Sequence, residues 1–469
     1  MRGRLTLLGA LALVLAAPVG ASAHTFRTST FSLGLSKPAL FNEITGADYT
    51  LTKNMHPMSF EFRSGEGPGL SQFNSDLAFW GDTAYQGTFP GFRILDITAP
   101  AAPREIINYT DCAHPSGQGD VVVWGNVLTR SWDSSSNPPA SSGLTNWTCD
   151  GEAVPRSTQG VHVFDVSDPT DPDMVKFVPT PCGSHTATGV PDLENDRLLV
   201  YSTPSSGSCD GIDIIEVPLD DPSQASYLRF EPSRDGIACH DTGVILGDAM
   251  LASCAGGTGL AVWSLGGENG GSLTDPQLLY TKDVPPVNIG HSAAFSWDGE
   301  TLVFGWEPSG GLSPRCTETG TPLNSSGSLV QTDEMKTFWF FDALTGEEKG
   351  RWVLPRAQSL AENCTLHNYN MVPTPKRDIL VHGSYQSGIG VLDFTDPANA
   401  KEIAYADPAP LDPAGAVDGG DWSSYWYDGL IYESDIKRGL MVWNLSDNAV
   451  AGARKLGHLN PQTQEFTLP

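Results

Sequence analysis

The stretch GVHVFDVSDPTDPDMVKFVP, residues 160–179, decides the fold. An apolar run ends at Asp165, two Asp-Pro pairs follow, and a second run rich in β-branched and aromatic residues begins. Asp side chains fold back onto the backbone and Pro presets φ, so the block reads as strand, turn, strand. The same block recurs at 91–110, 211–230, 259–267, 337–355, 388–407 and 439–458. Its closing positions are Asp96, Asp165, Glu216, Ser264, Asp342, Asp393 and Asn444, mostly near fifty residues apart and stretched twice by insertions.

Ahead of most blocks lies another strand pair, as in HSAAFSWDGETLVFGW at 291–306 and DWSSYWYDGLIYES at 421–434. Asp-Gly between two such runs is a strong hairpin signal. Four antiparallel strands repeated seven times predict an all-β fold, a seven-bladed β-propeller of four-stranded antiparallel blades.

The motif of a Gly, an apolar run, Asp, and then Ser/Thr-Asp-Pro resembles the LVIVD repeat of secreted bacterial β-propellers. The copies at 160–178 and 388–406 match it closely, and the third, fourth and fifth copies depart from it. The resemblance spans roughly residues 74–460 and implies a fold, not a reaction, because propellers host many chemistries.

Residues 1–23, MRGRLTLLGALALVLAAPVGASA, have the form of a secretory signal peptide: two arginines, an apolar run and a small-residue ending. The expected product is secreted, with cleavage before His24 and no membrane insertion, because no later apolar run approaches the ~18–20 residues of a spanning helix. Residues 24–73 hold too little apolar content for a core of their own and are expected to pack on the propeller at 74–469, adding an edge strand to the final blade. Each blade reads as complete within one stretch, so ring closure does not call for a strand swapped between the chain ends. The formal charge is −28, and loss of Arg2 and Arg4 with the leader takes it to −30. So acidic a protein is not expected to bind nucleic acid. Nothing in the sequence calls for self-association, so a monomer is expected.

All eight cysteines follow the leader, in a compartment that permits disulfides. The register of the repeats pairs Cys112 with Cys149, Cys182 with Cys209, Cys239 with Cys254, and Cys316 with Cys364. All four would staple one face of the ring.

Aligning the hairpins places His185, His240, His291 and His367 where the first strand of blades three to six enters the central tunnel. The matching positions elsewhere are Asn74, Gln118 or Asp120, and Asp421. Four imidazoles converging from consecutive blades suit a transition metal ion such as Zn, Cu or Fe, with positions left open for chemistry. In architecture this resembles the all-histidine iron site of carotenoid-cleaving dioxygenases and the copper site of selenium-binding-type propellers.

The loops expected above that mouth carry Arg130, Trp132, Trp306, Glu307, His382 and Tyr385. Arg130, Glu307, His382 and Tyr385 are the candidate catalytic groups. Three functions follow: a metal-dependent oxidoreductase or hydrolase acting on a small molecule, a non-catalytic extracellular binding scaffold, or a polysaccharide lyase-like protein. In the third, Arg130 would clamp a uronate, His382 or Tyr385 would move the proton, and Trp132 and Trp306 would stack on the glycan.

Overall fold

Asp428 and Gly429, with φ of 51° and 92°, join strands Asp421–Tyr427 and Leu430–Asp435. Both residues being left-handed is the mark of a type I′ turn, whose twist matches that of the flanking strands. The computed structural model builds such hairpins into seven antiparallel sheets arranged as a seven-bladed β-propeller. It describes residues 49–64, 73–112, 118–133, 137–138, 142–204, 209–234, 236–311, 315–410 and 419–469. The leader and residues 24–48 lie outside these.

The innermost strands of blades one to six are Asn74–Trp80, Val121–Trp124, Thr186–Asp192, Cys239–Ile245, Gly290–Phe295 and Tyr369–Val372, and that of blade seven is Asp421–Tyr427. Each of blades one to six runs outward through three further strands in chain order. Blade seven departs from that rule. Its outermost strand is Met55–Glu61, paired antiparallel to Gly439–Leu445. The block at 439–458 has no Asp-Pro turn leading into a second β-rich run. The N-terminal segment supplies the missing strand, burying Met55 and Phe60 and closing the ring. Tyr49–Leu51 adds a fifth strand to the edge of blade six.

The core is divided among the seams. Among the described residues, seven apolar clusters each join two adjacent blades, and the cluster of Phe79, Tyr425, Tyr427, Tyr432 and Leu459 closes blade seven onto blade one. Among the described residues, the helical elements are short 3₁₀ turns and no helix is long and apolar enough to cross a membrane. Disulfides Cys112–Cys149, Cys182–Cys209 and Cys239–Cys254 are formed, which fits an oxidising compartment. The expected fourth pair is not bonded: Cys316 and Cys364 are both buried free thiols.

Buried Glu433 and half-buried Asp378 contribute to the response to alkali. Burial, then the nearby Asp435 charge, pushes Glu433 up to about 8. Burial, then the charge of Asp298, pushes Asp378 up to about 7. In the unfolded chain both are already deprotonated above pH 6, so the native state holds more protons and stability falls as pH rises through 7 to 8. Each proton is worth at most about 1.4 kcal/mol per pH unit. Thermal unfolding is expected at a temperature several degrees lower at pH 9 than at pH 6.5. Glu433→Gln should flatten that slope, and an unchanged slope would show that Glu433 does not contribute.

Candidate metal centre at the tunnel mouth

His185 lies one residue before the innermost strand of blade three, His240 and His291 are second in theirs, and His367 lies two residues before its strand. Extended backbone fixes their height and the ring of blades brings them side by side. Successive imidazole centroids lie 4.7, 4.0 and 4.2 Å apart from His185 through His240 and His291 to His367. His291 and His367 are almost wholly buried, at 1% and 2% exposure.

Each ring is anchored through Nδ1. His185 Nδ1 meets Asp133 Oδ2 at 2.7 Å, and His240 Nδ1 meets Asp241 Oδ1 at 2.9 Å. His367 Nδ1 meets the carbonyl of Trp422 at 2.6 Å. His291 Nδ1 lies 2.6 Å from Ser292 Oγ, which donates to Asp241 Oδ2 at 2.9 Å. Carboxylates and carbonyls only accept, and Ser292 Oγ has three acceptors within reach of its one proton: Asp241 Oδ2, the His367 carbonyl and Asn368 Oδ1. His185, His240 and His367 therefore carry hydrogen on Nδ1, His291 does so whenever Ser292 donates to one of those acceptors, and in each such neutral ring the lone pair lies on Nε2. This is how proteins orient metal-ligating histidines.

The electrostatics favour neutral rings at the centre. Burial, reinforced by the neighbouring His240, holds His291 well below the ordinary imidazole range. Burial also lowers His367, more than Glu307 and the Trp422 carbonyl raise it. His185 at the rim is raised: burial opposes this, and the hydrogen bond and charge of Asp133 prevail. Asp241 is fully buried yet stays well below the usual carboxylate range, because the facing His291 and His240 and the Gln462 amide outweigh its desolvation.

Glu307 completes the donor set. Ligand atoms of His291, Glu307 and His367 all lie within 4.8 Å of one another, and His367 Nε2 stands 3.9 Å from Glu307 Oε1. Tyr385 donates to that same oxygen at 3.0 Å, and its ring lies 4.7 Å from His367. Tyr385 holds a left-handed φ of 46°, uncommon for a bulky residue. A bridge to Asp421 secures it there. A second set of close donors, His240, Asp241 and His291, is the hydrogen-bonded support just described.

Of the candidate catalytic residues, Glu307 and Tyr385 join the histidines and the other two do not. Arg130 is wholly buried, and its guanidinium is committed to the carbonyls of Thr88, Phe89 and Gly91 in blade one. His382 is wholly buried against Phe338 and Trp352, with Nδ1 on Ser384 Oγ, and burial pushes it down to about 3. Second-strand residues alternate sides, and these two face the seams between blades. Trp132 packs at 1% exposure on His162, and Trp306 sits at 6% in the core between blades four and five. Asn74 and Asp421 are engaged away from the imidazoles, on the carbonyls of Asp435 and Ile436 and on the Ser424 hydroxyl.

Sequence reading missed Asp133, Asp241, Ser292, Trp422 and Gln462. The polar residue directly after each mouth histidine (Asp241 after His240, Ser292 after His291) was a visible signal. Asp133 in an insertion and Gln462 in the tail gave none.

No protein-family model matches the chain, and no curated protein matches it in sequence. Solved structures do match in shape, a β-propeller domain among them. A chain of the mitotic checkpoint complex aligns over 84% of this chain and 97% of its own, at 11% identity and a TM-score of 0.50. The Cps50 (Swd1) β-propeller domain of Myceliophteria thermophila aligns over 82% and 100%, at 10% identity and a TM-score of 0.47. The computationally designed Ika8 protein aligns over 83% and 99%, at 11% identity and a TM-score of 0.43. The likeness is one of fold alone.

Proposed function

We propose that the protein is a secreted, monomeric propeller of the LVIVD-repeat kind whose tunnel mouth holds one transition metal ion on His291, His367 and Glu307, with His240 as the adjacent further donor. The observation that carries this reading is that four neighbouring imidazoles are all hydrogen-bonded through Nδ1, so that each would coordinate through Nε2. Two histidines and a carboxylate suit iron, zinc or copper and leave positions open to a substrate. The protein is then a metal-dependent oxidoreductase or hydrolase acting on a small molecule. A bound ion would supply Lewis acidity or a redox centre. The chain would supply the rest. Tyr385 orients Glu307 and offers a hydroxyl proton beside it, while Phe73, Phe89, Trp422 and Ile436 pack with Tyr385 as an apolar wall next to His367. That wall favours a substrate with an apolar or aromatic body over a polyanionic glycan.

Adding Zn, Cu, Fe or Co ions to protein lacking residues 1–23 should raise its unfolding temperature by several degrees, since ligand at 100 times Kd contributes about 2.7 kcal/mol. His367→Ala should abolish the rise. A wild-type transition that none of the four ions moves would overturn the reading.

A further inference from the structure

The C-terminal segment threads the inner wall of the propeller. His458–Leu459 pairs with the innermost strand of blade one at Phe79 and Trp80, the end opposite the histidine mouth. Asn460 then brackets Val123 of blade two, its Oδ1 accepting from the amide and its Nδ2 donating to the carbonyl, both at 2.7 Å. Thr463 Oγ1 donates to the Gly189 carbonyl of blade three at 2.7 Å. Thr463–Gln464 adds a parallel strand to Val244–Ile245 of blade four. Leu468 N donates to the Trp297 carbonyl of blade five at 2.7 Å, and Phe466 packs on the Trp297 ring. One short segment thus touches five consecutive blades.

Between these anchors, Gln462 turns inward at a left-handed φ of 58°. Its Nε2 donates to Asp241 Oδ2 at 2.6 Å. Asp241 is the carboxylate that supports two rings at once: Oδ1 takes His240, while Oδ2 takes Ser292 and lies 3.5 Å from His291 Nδ1. A carboxylate with that many partners has its plane fixed only if each partner is fixed, and Gln462 is fixed by Asn460 and Thr463 on either side.

We infer that Gln462 is a positioning residue of the metal centre: the tail that lines the far end of the tunnel sets the orientation of Asp241, and through it the Nε2 directions of His240 and His291. The inference rests on the metal reading above. Loss of an outer hydrogen-bond partner typically weakens metal binding 10- to 100-fold. Gln462, one step further out, is expected to give about 10-fold.

The test compares Zn and Co affinity, and the visible spectrum of the Co-loaded protein, in wild type, Gln462→Met and Phe466→Ala. Gln462→Met keeps the side-chain volume and removes the amide, and should weaken both metals about 10-fold and shift the Co bands. Phe466→Ala removes the tail's packing on the Trp297 ring, beyond the Asn460 and Thr463 anchors and without touching Asp241. It should lower the unfolding temperature and leave affinity and bands in place. Affinity within twofold of wild type in Gln462→Met, with unshifted bands, would overturn the positioning role while leaving the metal site standing. So would an equal loss in both variants. A wild-type protein that takes up neither metal would overturn the metal reading and this inference with it.

Discussion

His291→Ala is expected to weaken metal binding by more than 100-fold while leaving the propeller folded. Loss of an outer partner already costs about 10- to 100-fold, and His291 is central: it neighbours His240 on one side and belongs with Glu307 and His367 on the other. Removing the ring also frees Ser292 Oγ and relaxes its contact with Asp241. The buried imidazole is worth some apo stability, on the order of 1–3 kcal/mol. Competition titration against a chromophoric chelator, beside a thermal melt of the apo protein, separates the two effects. Metal affinity kept within tenfold of wild type would show that the ion sits elsewhere. Turnover of a substrate, once one is found, should fall with occupancy.

The second large effect belongs to the ring closure. Deleting residues 49–61 should yield protein that aggregates, because strand Gly439–Leu445 would present an open edge with Met441 and Trp443 uncovered. A milder probe, Phe60→Ala, should cost about 3–5 kcal/mol, the usual range for a buried aromatic. Size-exclusion chromatography and denaturant melts check both. A soluble, monomeric deletion variant with an unshifted midpoint would mean that blade seven does not need its outer strand.

Much of this architecture was legible in the sequence because a propeller repeats. Closing residues such as Asp165 and Asp393 recur at one blade's spacing, so blade count and strand order could be read without any knowledge of contacts. The same register placed His185, His240, His291 and His367 at one height, and three cysteine pairs beside their own blades. What stayed hidden depends on facing or on distant segments. Arg130 and His382 lie on second strands, where a shift of one residue exchanges the mouth for the seam. Both fell on the seam. Glu307 and Tyr385 come from loops and reach His367. The N-terminal segment was expected on the edge of the final blade, and what its sequence did not reveal is that it replaces that blade's own fourth strand. The contact of Gln462 with Asp241 joins residues more than two hundred positions apart, and no local pattern records such a pairing.

The most direct measurement is the metal content of purified protein lacking residues 1–23, by elemental analysis, beside a His291→Ala/Glu307→Gln double variant. Close to one transition metal ion per wild-type chain is expected, and almost none in a variant that keeps its cooperative melt. Wild-type protein that stays metal-free after incubation with Zn, Cu and Fe, or a double variant that retains its ion, would contradict a metal centre at the tunnel mouth.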